Sequence, residues 1–174
     1  MPAPRIYVKI VLAATCMTLL PGAQGRTNDL EDRLLAAHNR ERQAIGVGPL
    51  QWDATLAKGA QEWADHLSET GKFEHSPNRK GQALEGENIW GGTPDHFSPE
   101  SMIDLWVEEK QYFRRGKFPF NSTTGDVADV SHYTQLIWKR TGKVGCGLSK
   151  RGEEEILVCR YSQPGNVLGR RPLA

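Results

Sequence analysis

Two cysteines, Cys146 and Cys159, constrain this chain more than any other pair of residues. They lie in two short runs of strand character, Lys143 to Leu148 and Ile156 to Tyr161, on either side of Ser149-Lys150-Arg151-Gly152-Glu153. Runs of this kind around a polar, glycine-containing turn read as the arms of a hairpin. If Gly152 and Glu153 are the two loop residues, paired positions sum to 305, and 146 and 159 satisfy that sum. The cysteines then stand directly opposite, at a separation a disulfide can span. Gly152 at the first loop position suits a type II′ turn, which needs a positive φ there. Closing a loop of this size stabilises the fold by roughly 3 kcal/mol in the chain-entropy model.

A disulfide requires an oxidising compartment, and the N-terminus supplies a route to one. Arg5 and Lys9 give a basic start, and Ile10 to Leu20 is an apolar run too short to span a bilayer well. Pro21-Gly22 breaks the run, and Ala23-Gln24-Gly25 offers small residues where a signal peptidase reads. Residues 1–25 are therefore expected to be a signal peptide, and residues 26–174 the mature domain. Cys16 leaves with the leader, so Cys146 and Cys159 remain as an even pair. Loss of Arg5 and Lys9 takes the basic residues from 22 to 20 against 21 acidic ones, a formal charge of −1. That balance argues against a broad electrostatic footprint for nucleic acid, and it offers no basic patch for an anionic membrane. The expected product is a secreted protein, extracellular or periplasmic, monomeric and without an integral membrane span after cleavage. Its length suits one domain with a real core.

Helical periodicity fills the first half of the mature chain. Asn28, with Glu31 three residues on, forms a capping-box start, and Leu30, Leu34, Ala37, His38, Glu41 and Ile45 recur at helical spacing before Gly46. A second helix is expected from Asp53, with Leu56, Ala60, Trp63, Ala64 and Leu67 on one side and Gly71 as its stop. Ser98-Pro99 starts a third. Glycine and proline clusters at Gly91 to Pro94 and Gly116 to Gly125 read as loops.

Four residues carry candidate chemistry. In the third helix, Met102, Leu105, Trp106 and Phe113 gather on one face at 100° per residue, and Glu109 falls near its centre. A carboxylate there needs a hydrogen-bond partner, an ion pair or a metal, because burying it alone costs several kcal/mol. His75 follows Phe73-Glu74 and precedes Ser76-Pro77, at a helix exit or loop. Glu87 lies between Gly86 and Asn88-Ile89-Trp90, where glycine permits a close backbone approach. His132 leads the apolar block Ser131-His132-Tyr133-Thr134-Gln135-Leu136-Ile137-Trp138. Each also fits a structural role when taken singly. His38, on the apolar side of the first helix, reads as a core hydrogen-bonding residue, and His66 and His96 as surface residues.

Several separated motifs, in order, resemble one family. His38-Asn39-Arg40, Leu50-Gln51-Trp52, Gly86 to Trp90, Trp106 to Lys110, Ser131 to Trp138 and Cys159 to Asn166 are similar to those of the CAP superfamily, also called the SCP family. Its members include cysteine-rich secretory proteins, insect venom antigens and plant pathogenesis-related proteins. The resemblance implies an α+β fold, an α-β-α sandwich with a small antiparallel sheet between helices. It also implies a two-His, two-Glu cleft formed by His75, Glu87, Glu109 and His132. In some members the two histidines bind zinc or another divalent metal, so His75 and His132 become the candidate ligands, with Glu87 and Glu109 orienting them or bound water. Ser131 stands where the family has glycine and Gln163 where it favours proline; neither is a cleft residue.

This chemistry favours a binding module over an enzyme. No activated serine or cysteine accompanies the motifs, and no catalytic residue is assigned. The alternatives are a lipid or sterol carrier, with Phe113 to Phe120 walling an apolar groove, and a metal-dependent hydrolase. The expected partner is accordingly a small molecule or lipid.

Overall fold

In the computed structural model, residues 24–77 and 83–174 are described, and the side chains of 24–28 are not. The expected signal peptide lies outside the described residues except at its last two positions. Helix α1 spans Gln24–Ala44 and already runs through Asn28, so the expected cap there is not the helix start. Gly46 ends the turn that follows with φ +73°. Strand β1 is short, Gln51–Trp52, and Asn39 of α1 pins its entrance by bonding both the N–H (2.7 Å) and the carbonyl (3.0 Å) of Leu50.

Helix α2, Ala54–Thr70, forms where its sequence directs. The Asp53 carboxylate accepts the N–H groups of Thr55 and Leu56, and Gly71 closes the other end in the left-handed region at φ +66°. Strand β2 covers Gly86–Gly92, so the first two residues of the glycine-rich stretch belong to a strand rather than a loop. Ser98 caps α3, Pro99–Glu108. A 3₁₀ turn over Glu109–Tyr112 follows, and α4 spans Ser131–Leu136. Strands β3, Lys143–Arg151, and β4, Glu154–Ser162, form the expected hairpin with Cys146 opposite Cys159. The two sulfurs are bonded, with Cα atoms 4.0 Å apart. Gly152 takes φ +60° while Glu153 keeps a negative φ, the pattern of the II′ turn.

The sheet order is β1-β3-β4-β2. Strands β3, β4 and β2 are antiparallel, but β1 pairs with β3 in parallel, which adds a mixed edge to the expected antiparallel sheet. Alternation along the strands separates two cores. Ile89, Ile156 and Val158 meet Ala60, Ala64 and Leu67 of α2. Trp90, Cys146, Leu157, Cys159 and Tyr161 face the other way, against Leu34 and Ala37 of α1, Met102 and Trp106 of α3, and Leu136 of α4. The result is an α-β-α sandwich. Helix α2 lies directly on the β3 backbone: a Cβ at Gly147 would stand 2.3 Å from the Gln61 Cα, a distance only glycine avoids.

Candidate functional site

The four expected residues come from four different places and assemble as two dyads. His75 lies beyond the exit of α2, where Trp63 Nε1–H holds the Glu74 carbonyl at 3.1 Å. Phe73, by contrast, is 62 % exposed and lies over Gly91 rather than in the core. Glu87 is the second residue of β2, opposite Arg160 of β4. Gly86 beside it must be glycine, because a Cβ there would fall 2.1 Å from Gln135 Oε1 of α4. That close approach is the role expected of it.

Glu109 and His132 are brought together by the end of α3 and the start of α4. The third helix ends one residue before Glu109 and tightens into the 3₁₀ turn, so the expected helical face is redrawn. Leu105 is 39 % exposed and Ile103 is buried in its place. The tighter turn still delivers Glu109 to His132. The His132 ring stacks on Trp106 at 5.9 Å between centroids with 9° between planes.

Both carboxylates are clamped in the same way. Glu87 Oε1 accepts from His75 Nδ1 (2.8 Å) and from the N–H of Ser76 (2.9 Å), and Oε2 accepts from the Ser76 hydroxyl (2.7 Å). Glu109 Oε1 accepts from His132 Nδ1 (2.5 Å), and Oε2 accepts from the N–H of Tyr133 (3.0 Å). In each dyad a histidine ring and the backbone N–H of the next residue hold one carboxylate. An oxygen of a carboxylate can only accept, so each Nδ1 carries the proton and each neutral ring keeps its lone pair on Nε2.

The electrostatics follow. Burial alone would push the Glu87 carboxyl up, but hydrogen bonds from His75 and Ser76 outweigh it and hold the group below its ordinary value. The same bond raises His75 above the usual histidine value, against a smaller opposing effect of burial. Buried Arg160 lies between Glu87 (3.6 Å) and Glu85 (3.3 Å).

A buried hydrogen-bond chain supports the site from beneath. Asn88, next to Glu87, donates to the His132 carbonyl (3.1 Å) and to the Tyr161 oxygen (3.3 Å). Tyr161 bonds Nε2 of His38 (2.9 Å), and His38 Nδ1 bonds the Leu34 carbonyl (2.8 Å). A carbonyl can only accept, so His38 is protonated at Nδ1 and receives the Tyr161 hydroxyl at Nε2. Burial pushes His38 down to about 4, which keeps it neutral in the core. Its expected structural role is what the geometry shows. His66 and His96 are exposed, and Asn166, at φ 54°, turns the exit and bonds Thr134 and Ser131.

Ser76, Asn88, Tyr133 and Arg160 are the site residues that sequence reasoning left without a role. Only Ser76 gave a usable signal, as a hydroxyl adjacent to a candidate histidine. Among the described residues no group of three or more His, Cys, Asp or Glu side chains is arranged to hold a metal. Two recesses border the Phe113 to Phe120 loop, one of about 120 Å³ lined by Phe113, Arg115 and Gly116 and one of about 680 Å³ lined in part by Lys117, and Phe113 packs edge-on against Tyr133.

The fold and motifs are shared with known proteins. Pathogenesis-related protein 1C of Nicotiana tabacum is 34 % identical over 139 residues, covering 79 % of this chain and 77 % of its own. Pathogenesis-related protein 1 of Arabidopsis thaliana is 31 % identical over 166 residues, covering 95 % and 94 %. Among solved structures, the crystal structure of NaASP2 with Zn2+ matches with a TM-score of 0.67 at 23 % identity, over 81 % of this chain and 83 % of that one. An outer surface protein from Borrelia burgdorferi matches with a TM-score of 0.56 at 19 % identity, over 79 % and 95 %. At such identities the structural likeness is one of fold. A model of the cysteine-rich secretory protein family matches residues 35–161, which is most of the chain and all four dyad residues. On that match and these relatives, the chain belongs to the cysteine-rich secretory protein family.

Proposed function

We propose that this is a secreted binding module, residues 26–174 after removal of a leader over 1–25, that takes up a divalent cation through His75 and His132. The observation that carries the reading is the repeated clamp: each histidine gives its Nδ1 proton to a dedicated carboxylate and keeps Nε2 for a ligand. A carboxylate behind an imidazole fixes its tautomer and raises its basicity, the usual support of a metal-binding histidine. Imidazole nitrogens suit zinc and similar borderline cations. The zinc in the NaASP2 structure, of the same fold, agrees in kind. With two protein nitrogens, water or a bound molecule completes the coordination, and the cation supplies an electrophilic contact for that molecule. Glu87 and Glu109 hold their rings in place for a ligand, the role of a binding module. Its location is outside the cytoplasm, extracellular or periplasmic.

Titration calorimetry with zinc at pH 7.5 and 5.5 tests this. Binding is expected at the higher pH and weakened at the lower, because protons compete with the cation for each imidazole Nε2. His75→Ala and His132→Ala should each remove most of it, and Glu109→Gln should weaken it by about 10- to 100-fold. Undiminished binding by the double histidine variant would leave the dyads as a purely structural polar network.

A further inference from the structure

Three segments distant in sequence meet at one end of the molecule: 113–121, 138–141 and 162–174. The Phe118 N–H donates to the Arg170 carbonyl, the Gly169 N–H donates back to the Phe118 carbonyl, and the Lys139 N–H donates to the Pro172 carbonyl, each at 2.8 Å. These segments hold seven of the 22 Lys and Arg residues of the chain and none of its 21 Asp and Glu. All seven are exposed, and among the described residues none forms an ion pair with a carboxylate. The near-neutral total charge conceals this concentration, so the expectation of no basic patch is corrected by the tertiary structure. Seven cations gathered with no acidic side chain in the same segments repel one another and create a local positive potential that an anionic partner relieves.

Apolar side chains stand among these cations. Phe120 is 73 % and Leu168 74 % exposed, the two most exposed large hydrophobic residues among those described, and Val167 adds 42 %. The same segments border a recess of about 680 Å³ whose lining includes Leu84, Lys117, Arg140, Val167, Arg170 and Arg171. A soluble polyanion would use the cations and leave Phe120 and Leu168 in water. An anionic bilayer uses both: apolar tips enter the interface while cations meet the headgroups.

We propose that this end of the protein is a peripheral docking surface for a bilayer containing anionic lipid, with Phe120 and Leu168 entering the interface and Lys117, Arg140, Arg170 and Arg171 against the headgroups. The surface is separate from the histidine–glutamate dyads, and it does not depend on a cation bound there.

Co-sedimentation of the mature chain with vesicles tests it, comparing phosphatidylcholine alone with phosphatidylcholine mixed with phosphatidylglycerol at low and high salt. Binding is expected only to the mixed vesicles and to weaken with salt. The Arg170→Ala/Arg171→Ala variant should bind about 25-fold more weakly at low salt, at roughly fivefold per basic residue near the surface. Phe120→Ser and Leu168→Ser should each weaken binding several-fold by an amount independent of salt. Thermal melts of all variants identify any that fail to fold, and the loop-tip positions make Leu168→Ser the most conservative probe. Vesicle binding unchanged in the double arginine variant overturns the proposal. So does an unchanged affinity in both serine variants, or capture by heparin or duplex DNA without capture by mixed vesicles, which would assign the surface to a soluble polyanion.

Discussion

Replacing Arg42 with methionine asks whether a buried cation holds α4, and with it His132, in place. Arg42 is 1 % exposed and, among the described residues, has no carboxylate partner. Its guanidinium donates instead to four backbone carbonyls: Gly48 (2.8 Å), Leu136 (2.9 Å), Trp138 (3.0 Å) and Thr141 (2.9 Å). The carbonyls of Leu136 and Trp138 lie at and just beyond the end of α4, where a helix leaves acceptors without internal donors. Burial pushes the guanidinium down to about 10, so it is still charged at neutral pH. Methionine fills much of the stem volume but donates nothing. Four charge-assisted bonds at about 1.5–3 kcal/mol each give roughly 6–12 kcal/mol gross. Relief of the several kcal/mol that burying the cation costs reduces the net loss to on the order of 5 kcal/mol. That is comparable with the whole stability of many domains, about 5–15 kcal/mol. Urea unfolding followed by tryptophan fluorescence measures it, and Arg42→Lys, which keeps the charge but not the planar fork, should fall between parent and methionine variant. A methionine variant within about 1 kcal/mol of the parent would refute the clamp, since ordinary exposed substitutions cost no more.

Three further outcomes are expected. Gly147→Ala should destabilise the fold by about 1–3 kcal/mol or prevent folding, because its Cβ would overlap the backbone of α2 at Gln61; a melt unchanged from the parent would show that the helix can shift. Reducing Cys146–Cys159 should cost roughly 3 kcal/mol for a loop with a sequence separation of 13, read as a lowered urea midpoint; an unchanged midpoint would show that the hairpin turn already restricts the unfolded chain. In metal-free protein, His75 should titrate above the ordinary histidine value of about 6.5 by NMR, and Glu87→Gln should bring it down. Because the folded value of His75 is the raised one, its contribution is full below the unfolded value and is lost as pH rises through the folded value, whereas that of Glu87, whose folded value is lowered, is lost as pH falls through it. A His75 titration at or below the ordinary value would remove the dyad's electrostatic basis.

The relation between sequence and structure differs from element to element. The hairpin, its turn and its disulfide are legible because strand pairing is arithmetic once the loop is placed, and the register then carries the cysteines with it. Helix α2 is legible at both ends because Asp53 and Gly71 act on their own neighbouring backbone. The four site residues are named by motifs, but each alone fits a structural role. Only the tertiary structure pairs His75 with Glu87 and His132 with Glu109, since the partners are 12 and 23 residues apart and join through strand and helix packing. The face of α3 departs from its periodic pattern at Leu105 because the side covered by the neighbouring elements carries Met102, Ile103 and Trp106, and which side is covered is set by packing and not by periodicity. Composition likewise indicates a near-neutral chain, whereas the fold draws seven cations to one end. Local signals act over a turn of backbone and survive in the sequence; pairings and charge patches depend on which distant segments are packed together, and that is decided only when the sandwich closes.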